Sequence, residues 1–362
     1  MRTSQLFAPT LRQLSAEVEL ASHQLLLRAG YVRQLAAGIY SLLPLGLRVL
    51  HNLEGIVREE IDRAGAQEVL LPALQPLELW ERTGRAAAWG DELLQLEDRG
   101  GRRFALGPTH EEVVTSLVGA SARSYRQLPF TLYQIQTKFR DDPRPRGGLV
   151  RLREFIMKDA YSFDRDAAGL DRSYEAMHAA YHRLLQRLGL PYHVVHASGG
   201  AIGGWDTREF HLPAEAGESH YLLCEGCGYA AAPEVAPVSG PGVAFPREDM
   251  APLARAETPN QRTIEQVTAF LGLPASRLVK TLIYEAGDRL LAALVHGDRE
   301  VSEDKLRAEL GLRQVRLADP AVVLRVTGAS VGFSGPVGLP ETVQVLADDQ
   351  LQASRNVVRY PV

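Results

Sequence analysis

Two stretches of alternating residues, separated by a loop that no regular element could cross, constrain this chain more than anything else in it. In "YQIQTKFR", Tyr133, Ile135, Thr137 and Phe139 fall on one side while Gln134, Gln136, Lys138 and Arg140 fall on the other. A period of two predicts a half-buried strand with one polar, cation-bearing face. "RLREFIMKDAY" has the same period, with Arg151, Arg153, Phe155, Met157 and Asp159 of one parity. Between them, "DDPRPRGGLV" carries Pro143, Pro145, Gly147 and Gly148, which read as a loop. The prediction is an antiparallel hairpin with a long basic loop. The run Phe155-Ile156-Met157 makes the segment too apolar for a disordered basic tail, and its arginines make it too charged for a plain buried strand. Its cations therefore need fixed partners.

Helical periodicity flanks the hairpin. Leu50, Leu53, Val57 and Ile61 recur at steps of three and four before Gly65, and the apolar "EVLLP" that follows reads as a short strand ending at Pro72. A second helix is expected from about residue 166 to 189, with Tyr174, Met177, Tyr181, Leu184, Leu185 and Leu188 as its apolar stripe. Residues 231–257 are rich in proline and aperiodic, which marks a linker or boundary. Beyond it, "TIEQVTAFLGL" and "SEDKLRAELG" read as helices, "LVKTLIYEA" and "LLAALVHGD" as buried strands, and "TGASVGFSGPVGLP" as a glycine loop. Strands alternating with helices predict a small α/β domain, and the whole chain an α+β protein. The glycine-rich "ASGGAIGGWDTREF" lacks both the dinucleotide fingerprint and a P-loop lysine, and reads as a loop that approaches a small ligand closely or as a plain connector.

Composition narrows the chemistry. At 362 residues and a formal charge of −4, the chain is long enough for two or more domains and is no globally basic nucleic-acid coat, so any polyanion must be met locally. No apolar run reaches a membrane span and "MRTSQLFAPT" has no signal-peptide core, so a cytoplasmic location and no membrane partner are expected. The two cysteines, Cys224 and Cys227, form a lone C-x-x-C. Structural zinc usually takes four ligands, so no metal site is expected, and a ligand-free turn or a vestigial knuckle is favoured over a redox pair. Of 40 basic residues only four are lysines, Lys138, Lys158, Lys280 and Lys305. In a chain so biased to arginine, each lysine invites a reason, because a compact ammonium does what a planar guanidinium cannot.

The hairpin resembles motif 2 of class II aminoacyl-tRNA synthetases, with Phe139-Arg140-Asp141-Asp142, a variable loop, then Arg151-x-x-x-Phe155-x-x-x-Asp159. The helix ending at Gly65 with its following strand resembles motif 1, which implies a homodimer. Together "RAGYVRQLAAGIYSLLPLGLRVL", "GPTHEEV", "YQIQTKFRD" and "REFIMKDAYSF" are similar to bacterial-type prolyl-tRNA synthetases. The resemblance implies a class II antiparallel sheet flanked by helices over residues 1–222, a linker over 223–256, and an incomplete editing insertion over 257–362. It implies ATP and Mg2+ as cofactors, and proline and tRNA(Pro) as substrates. Arg140 would bridge proline's carboxylate and the α-phosphate, Arg151 would contact the nucleotide phosphates, and Phe155 would stack on adenine. Asp142 stands where the family has glutamate, which puts its adenine-end contact in doubt. Thr109 and Glu111 are the implied proline contacts, Arg144 and Arg146 the contacts to the tRNA acceptor stem, and the glycine loop at 198–206 the segment closing over proline. For hydrolysis of mischarged alanyl-tRNA(Pro), the implied residues are Lys280, the loop from Gly332 to Pro336, and Asp348; His296 reads instead as a structural strand-end histidine.

Within these 362 residues there is no motif 3 with its Gly-x-Gly-x-x-Arg, no anticodon-binding domain and no editing histidine of the family's kind. The polypeptide by itself is therefore expected to activate proline poorly or not at all. Two readings stay open, an incomplete proline–tRNA ligase chain and a non-catalytic tRNA-binding or editing-like paralogue; the intact proline signature and motif 2 favour the first.

Overall fold

The computed structural model describes residues 2–15, 18–199, 206–237, 249–252, 254–259, 261, 263–311, 315–352 and 354–359. They form two compact units, one of residues 1–192 with 212–216, the other of residues 193–211 with 217–362.

The first unit opens with α1 (Ala21–Arg28), the hairpin β1 (Val32–Ala36) and β2 (Ile39–Leu42), and the long helix α2 (Pro44–Arg63), whose first residue is a proline already set at helical φ. β3 (Ala66–Glu68) follows. The ladder thus lies earlier than the expected strand at 68–72. Beyond Glu68, Val69 N still donates to Tyr133 O at 2.8 Å, but Leu71 N turns to the side chain of Gln134, at 3.0 Å from Oε1. A side chain replaces the backbone partner there, and the ladder stops.

Next come β4 (Leu74–Pro76), α3 (Leu77–Arg82), α4 (Arg85–Trp89), β5 (Gln95–Glu97) and β6 (Arg103–Leu106), with sheet order β4-β6-β5 over a core of Leu77, Trp80, Leu93 and Ala105. α5 (Glu111–Ser121) leads to the expected hairpin, β7 (Phe130–Phe139) and β8 (Glu154–Phe163), in register from Phe130↔Phe163 to Phe139↔Glu154. β3 joins it in parallel, giving the order β3-β7-β8. α6 (Ala167–Leu188) is capped by the Asp166 carboxylate, which accepts from Gly169 N at 2.7 Å, and closes at Gly189. Val57 and Ile61 of α2 and Met177 and Ala180 of α6 pack against Tyr133. Glu60, buried on α2, receives Arg183 at 2.6 Å and Arg187 at 2.9 Å from α6.

Two expectations for the hairpin need correction. The cation-bearing face of β7 is the more enclosed one, with Gln134 and Lys138 both fully buried. Gln134 is met by Leu71 N and Asp159, and Lys138 by Asp159 and His110, and such hydrogen-bond partners are what let a polar face leave water. Arg151 is not on the strand, since β8 begins at Glu154 and Arg151 pairs only with Arg146 in an isolated bridge. The strand parity that would join Arg151 to Phe155 is broken because the loop folds back on itself.

In the second unit, β9 (His193–Ala197), β10 (Thr207–His211), β11 (Leu222–Leu223) and β12 (Ala230–Ala231) form a sheet of order β10-β9-β12-β11. Pairing therefore continues through Ala231, past the expected linker start at 223. Cys224 and Cys227 lie exposed in the β11–β12 turn, closed by Cys224 N to Tyr229 O and Gly228 N to Cys224 O, each 2.8 Å. α7 (Ile264–Leu271), with a Thr263/Gln266 capping box, precedes the hairpin β13 (Leu278–Ala286) and β14 (Arg289–His296). α8 (Glu303–Leu310), β15 (Arg316–Leu317), α9 (Pro320–Thr327), β16 (Val343–Ala347) and β17 (Val358–Arg359) complete it. The sheet runs β15-β13-β14-β16, with β17 also on β13. Clusters around Tyr284, Leu291 and Val315, and around Ile283, Ala292, Val323 and Val343, supply its core.

Candidate active site

Arg140 stands immediately after β7, where its backbone N donates to Arg153 O at 2.9 Å and closes the hairpin loop. Its guanidinium lies over two aromatic rings, 5.3 Å from the centroid of Trp89 and 5.3 Å from that of Phe155. Nη2 reaches Pro108 O at 3.4 Å, and the buried Nε has no hydrogen-bond partner among the described residues. Burial lowers the Arg140 pKa, opposed by the charges of Glu92 and Glu111. Guanidinium starts so high that it stays charged. The result is a desolvated, fixed, planar cation with donor capacity to spare, which suits an anionic ligand.

Beside it opens a cleft of about 770 Å³. Its lining includes Thr137, Arg140, Asp142, Arg151, Glu154 and Phe155 and, from α1, β2 and α2, Leu26, Tyr40 and Leu50. Arg151 and Phe155 thus reach one cavity although they are on different elements. Asp142 is committed to the loop: its carboxylate pairs with Arg151 and accepts from Arg144 N at 2.8 Å. Burial alone would raise its pKa, but the Arg151 and Arg144 hydrogen bonds hold it below the usual carboxylate range.

The loop is anchored from the other side. Arg153 N donates to Gly38 O at 2.9 Å in the β1–β2 turn, and the buried Gly148, at φ +67°, lies flat against the His23 ring. His23 is in turn 3.1 Å from the Tyr40 hydroxyl. Arg144 and Arg146 sit exposed on this anchored loop.

Thr109 and Glu111 flank His110 at the start of α5. Thr109 Oγ1 donates to Glu111 Oε2 at 2.6 Å, and Arg85 Nη1 contacts Glu111 at 3.2 Å and the buried Glu112 at 2.8 Å. Gln75 Nε2 donates to Thr109 O at 3.0 Å while its Oε1 accepts from Trp80 Nε1 at 2.8 Å. The structure therefore brings Thr109, Glu111 and Arg140 to one side of the hairpin. Trp89, Arg85, Gln75 and His110 escaped the sequence reading; only the tryptophan and the lysine scarcity offered any signal for this neighbourhood.

In the second unit, Lys280 on β13 pairs with Glu300 at 2.9 Å. It is opposite Val295 on β14, and Asp348 N donates to the preceding Leu294 O at 2.9 Å, so Lys280 and Asp348 flank the same end of β14. The Asp348 carboxylate accepts from Gln350 N at 2.9 Å. The Gly332–Pro336 loop follows α9 and is tied to it where Thr327 Oγ1 lies 3.4 Å from Ser334 Oγ. His296 is buried, with Nε2 3.0 Å from Ser354 Oγ, as befits a structural strand end. Residues 200–205 of the glycine loop at 198–206 lie outside the described residues. Among the described residues no three His, Cys, Asp or Glu side chains converge as metal ligands. The residues present do not fit an all-protein Mg2+ cage; such an ion is commonly held by substrate phosphates.

Residues 94–298 match the tRNA synthetase class II core domain (G, H, P, S and T), and residues 258–361 match the aminoacyl-tRNA editing domain. The chain belongs to the class II aminoacyl-tRNA synthetase core family, with an editing domain attached. More particularly, it is 52% identical over 99% of its length to the Proline–tRNA ligase of Pelotomaculum thermopropionicum. It is 53% identical over 97% to that of Nitratidesulfovibrio vulgaris, and 54% over 94% to that of Moorella thermoacetica. The matches span 63%, 61% and 59% of those relatives' own lengths.

Proposed function

We propose that this chain carries the proline-activating and nucleotide-binding surface of a cytoplasmic proline–tRNA ligase. The observation that carries the reading is Arg140, held over the rings of Trp89 and Phe155 with a buried Nε that has no partner among the described residues, beside the Thr109–Glu111 turn. In the first step an oxygen of proline's carboxylate attacks the α-phosphorus of ATP and pyrophosphate leaves. Two anions must be held together, and charge builds on the phosphoryl oxygens. Arg140 offsets it without reorganising, because its plane is already fixed.

Glu111 accepts from proline's secondary ammonium and Thr109 orients that carboxylate. Arg151 meets the nucleotide phosphates when it exchanges its Asp142 partner for them, so Asp142 acts as the holder of Arg151 rather than as an adenine contact. Phe155 offers adenine its face, with the apolar wall of the cleft around it. In the second step the terminal ribose hydroxyl of tRNA(Pro) attacks the prolyl carbonyl and AMP leaves. Arg144 and Arg146 contact the acceptor stem from the anchored loop.

Alanine fits wherever proline does, and a smaller side chain is rejected only weakly by binding, so a hydrolytic second site is needed. Lys280, Asp348 and the Gly332–Pro336 loop form that site for alanyl-tRNA(Pro). Homodimerisation through α2 fits its exposed Leu47, Val49 and Leu53. Proline-dependent exchange of pyrophosphate into ATP, with proline binding followed by calorimetry, tests the proposal. Slow turnover at most is the expected result; fast turnover would contradict the incompleteness read from the sequence, proline binding without exchange would favour the non-catalytic alternative, and absence of both would sink the ligase reading.

A further inference from the structure

Lys138 is fully buried in a chain that otherwise uses arginine for nearly all its cations. Its Nζ lies 2.8 Å from Asp159 Oδ1 and 2.6 Å from His110 Nδ1. The other side of the His110 ring, Nε2, is 3.1 Å from Pro72 O. A carbonyl can only accept, so Nε2 carries the proton and Nδ1 presents its lone pair to the ammonium. The remaining Asp159 oxygen accepts from Gln134 Nε2 at 3.0 Å and from the Tyr161 hydroxyl at 2.5 Å. That same hydroxyl accepts from the His110 backbone N at 3.1 Å.

His110 is therefore fixed at three points, and two of them, ring Nδ1 and backbone N–H, lead to the Lys138–Asp159 pair. Its neighbours on either side are Thr109 and Glu111. Resting on the ligase reading, we propose that Lys138 with Asp159 is the positioning pair for proline recognition, acting through His110 and Tyr161 to aim Thr109 and Glu111. None of the four touches proline.

The choice of lysine follows from the site. Three tetrahedral donors on a compact head satisfy a carboxylate and an imidazole in different directions, whereas a guanidinium presents its donors in one plane and adds heavy atoms to a closed space. Removing the lysine alone would strand a buried carboxylate. The informative variants are therefore the double replacement K138M/D159N, which discharges both partners together, and Y161F, which deletes only the hydroxyl bridge.

In the full chain, the dissociation constants for proline and for ATP are measured separately by calorimetry, and the His110 ring tautomer is read by NMR. The expected result is proline affinity at least tenfold weaker in K138M/D159N and about threefold weaker in Y161F. ATP affinity stays within twofold of wild type in both, and the single Nε2–H tautomer is lost in the double variant. Folded variants with proline affinity within twofold of wild type would overturn the inference, as would an equal loss for proline and ATP, which marks a merely structural role. Wild-type protein that binds no proline would overturn the ligase reading and this inference with it, an outcome separable from variants that match a binding wild type.

Discussion

Arg140 works as a plane, not as a point charge. Its guanidinium carbon stands 5.3 Å from both ring centroids, and Arg140→Lys keeps the charge while losing the fork and the stacking. The expected outcome is a fall of about 10²- to 10³-fold in kcat for proline-dependent exchange, with the thermal midpoint little changed. His110 gives a second prediction. Burial, then the charge of Lys138, pushes its pKa down to about 4 from an ordinary 6.5. The neutral ring contributes stability in full above pH 6.5, and the contribution is lost as pH falls toward 4. The window is worth up to about 3 kcal/mol. Urea unfolding should show the stability gap between wild type and His110→Asn shrinking by about 2–3 kcal/mol between pH 7 and pH 4.5; a gap that stays constant would rule out this assignment. The hairpin that carries Arg140 and Phe155 was legible in the sequence from its period of two, whereas the roles of the two residues came only from the resemblance. Trp89, Gln75 and the His110–Lys138 contact were not legible, because they join segments that only the tertiary fold brings together.

At the scale of elements, the loop between β7 and β8 is held by its neighbours more than by its own sequence. Gly148 adopts φ +67°, and a Cβ there would fall 2.7 Å from the His23 ring. Gly148→Ala should therefore destabilise this contact by about 1–3 kcal/mol. Hydrogen exchange should report faster opening of residues 140–153, and prolylation of tRNA should suffer more than exchange of pyrophosphate. Equal losses in both reactions would place the loop's importance elsewhere. The hairpin itself could be read from period two and α6 from its apolar stripe, since both patterns are written within one continuous segment. The polarity of β7 misled: Gln134 and Lys138 look like a solvated face, and their burial depends on partners, Leu71 N, Asp159 and His110, that no local pattern reveals. Arg151 misled for the related reason that strand period says nothing about where a ladder ends.

For the molecule as a whole, the two units have separate cores, and the proposed function gives them separate chemistry. Lys280→Ala, in the second unit, should lower hydrolysis of alanyl-tRNA(Pro) by at least tenfold while leaving the exchange rate with proline unchanged; a matching loss of exchange would contradict that division. The α/β character of the second unit was visible in its alternating buried strands and helices. The sheet that includes Ala230 and Ala231 was not, because strands of two residues have no period to detect. The scarcity of lysine gives the molecule one more property. An amine-acylating reagent meets only four side-chain targets, and Lys158, Lys280 and Lys305 each keep some surface while Lys138 keeps none. Modification at Lys138 can proceed only through transient opening of the β7–β8 core, so its rate, read by mass spectrometry against the other three, is a built-in clock for the breathing of the site.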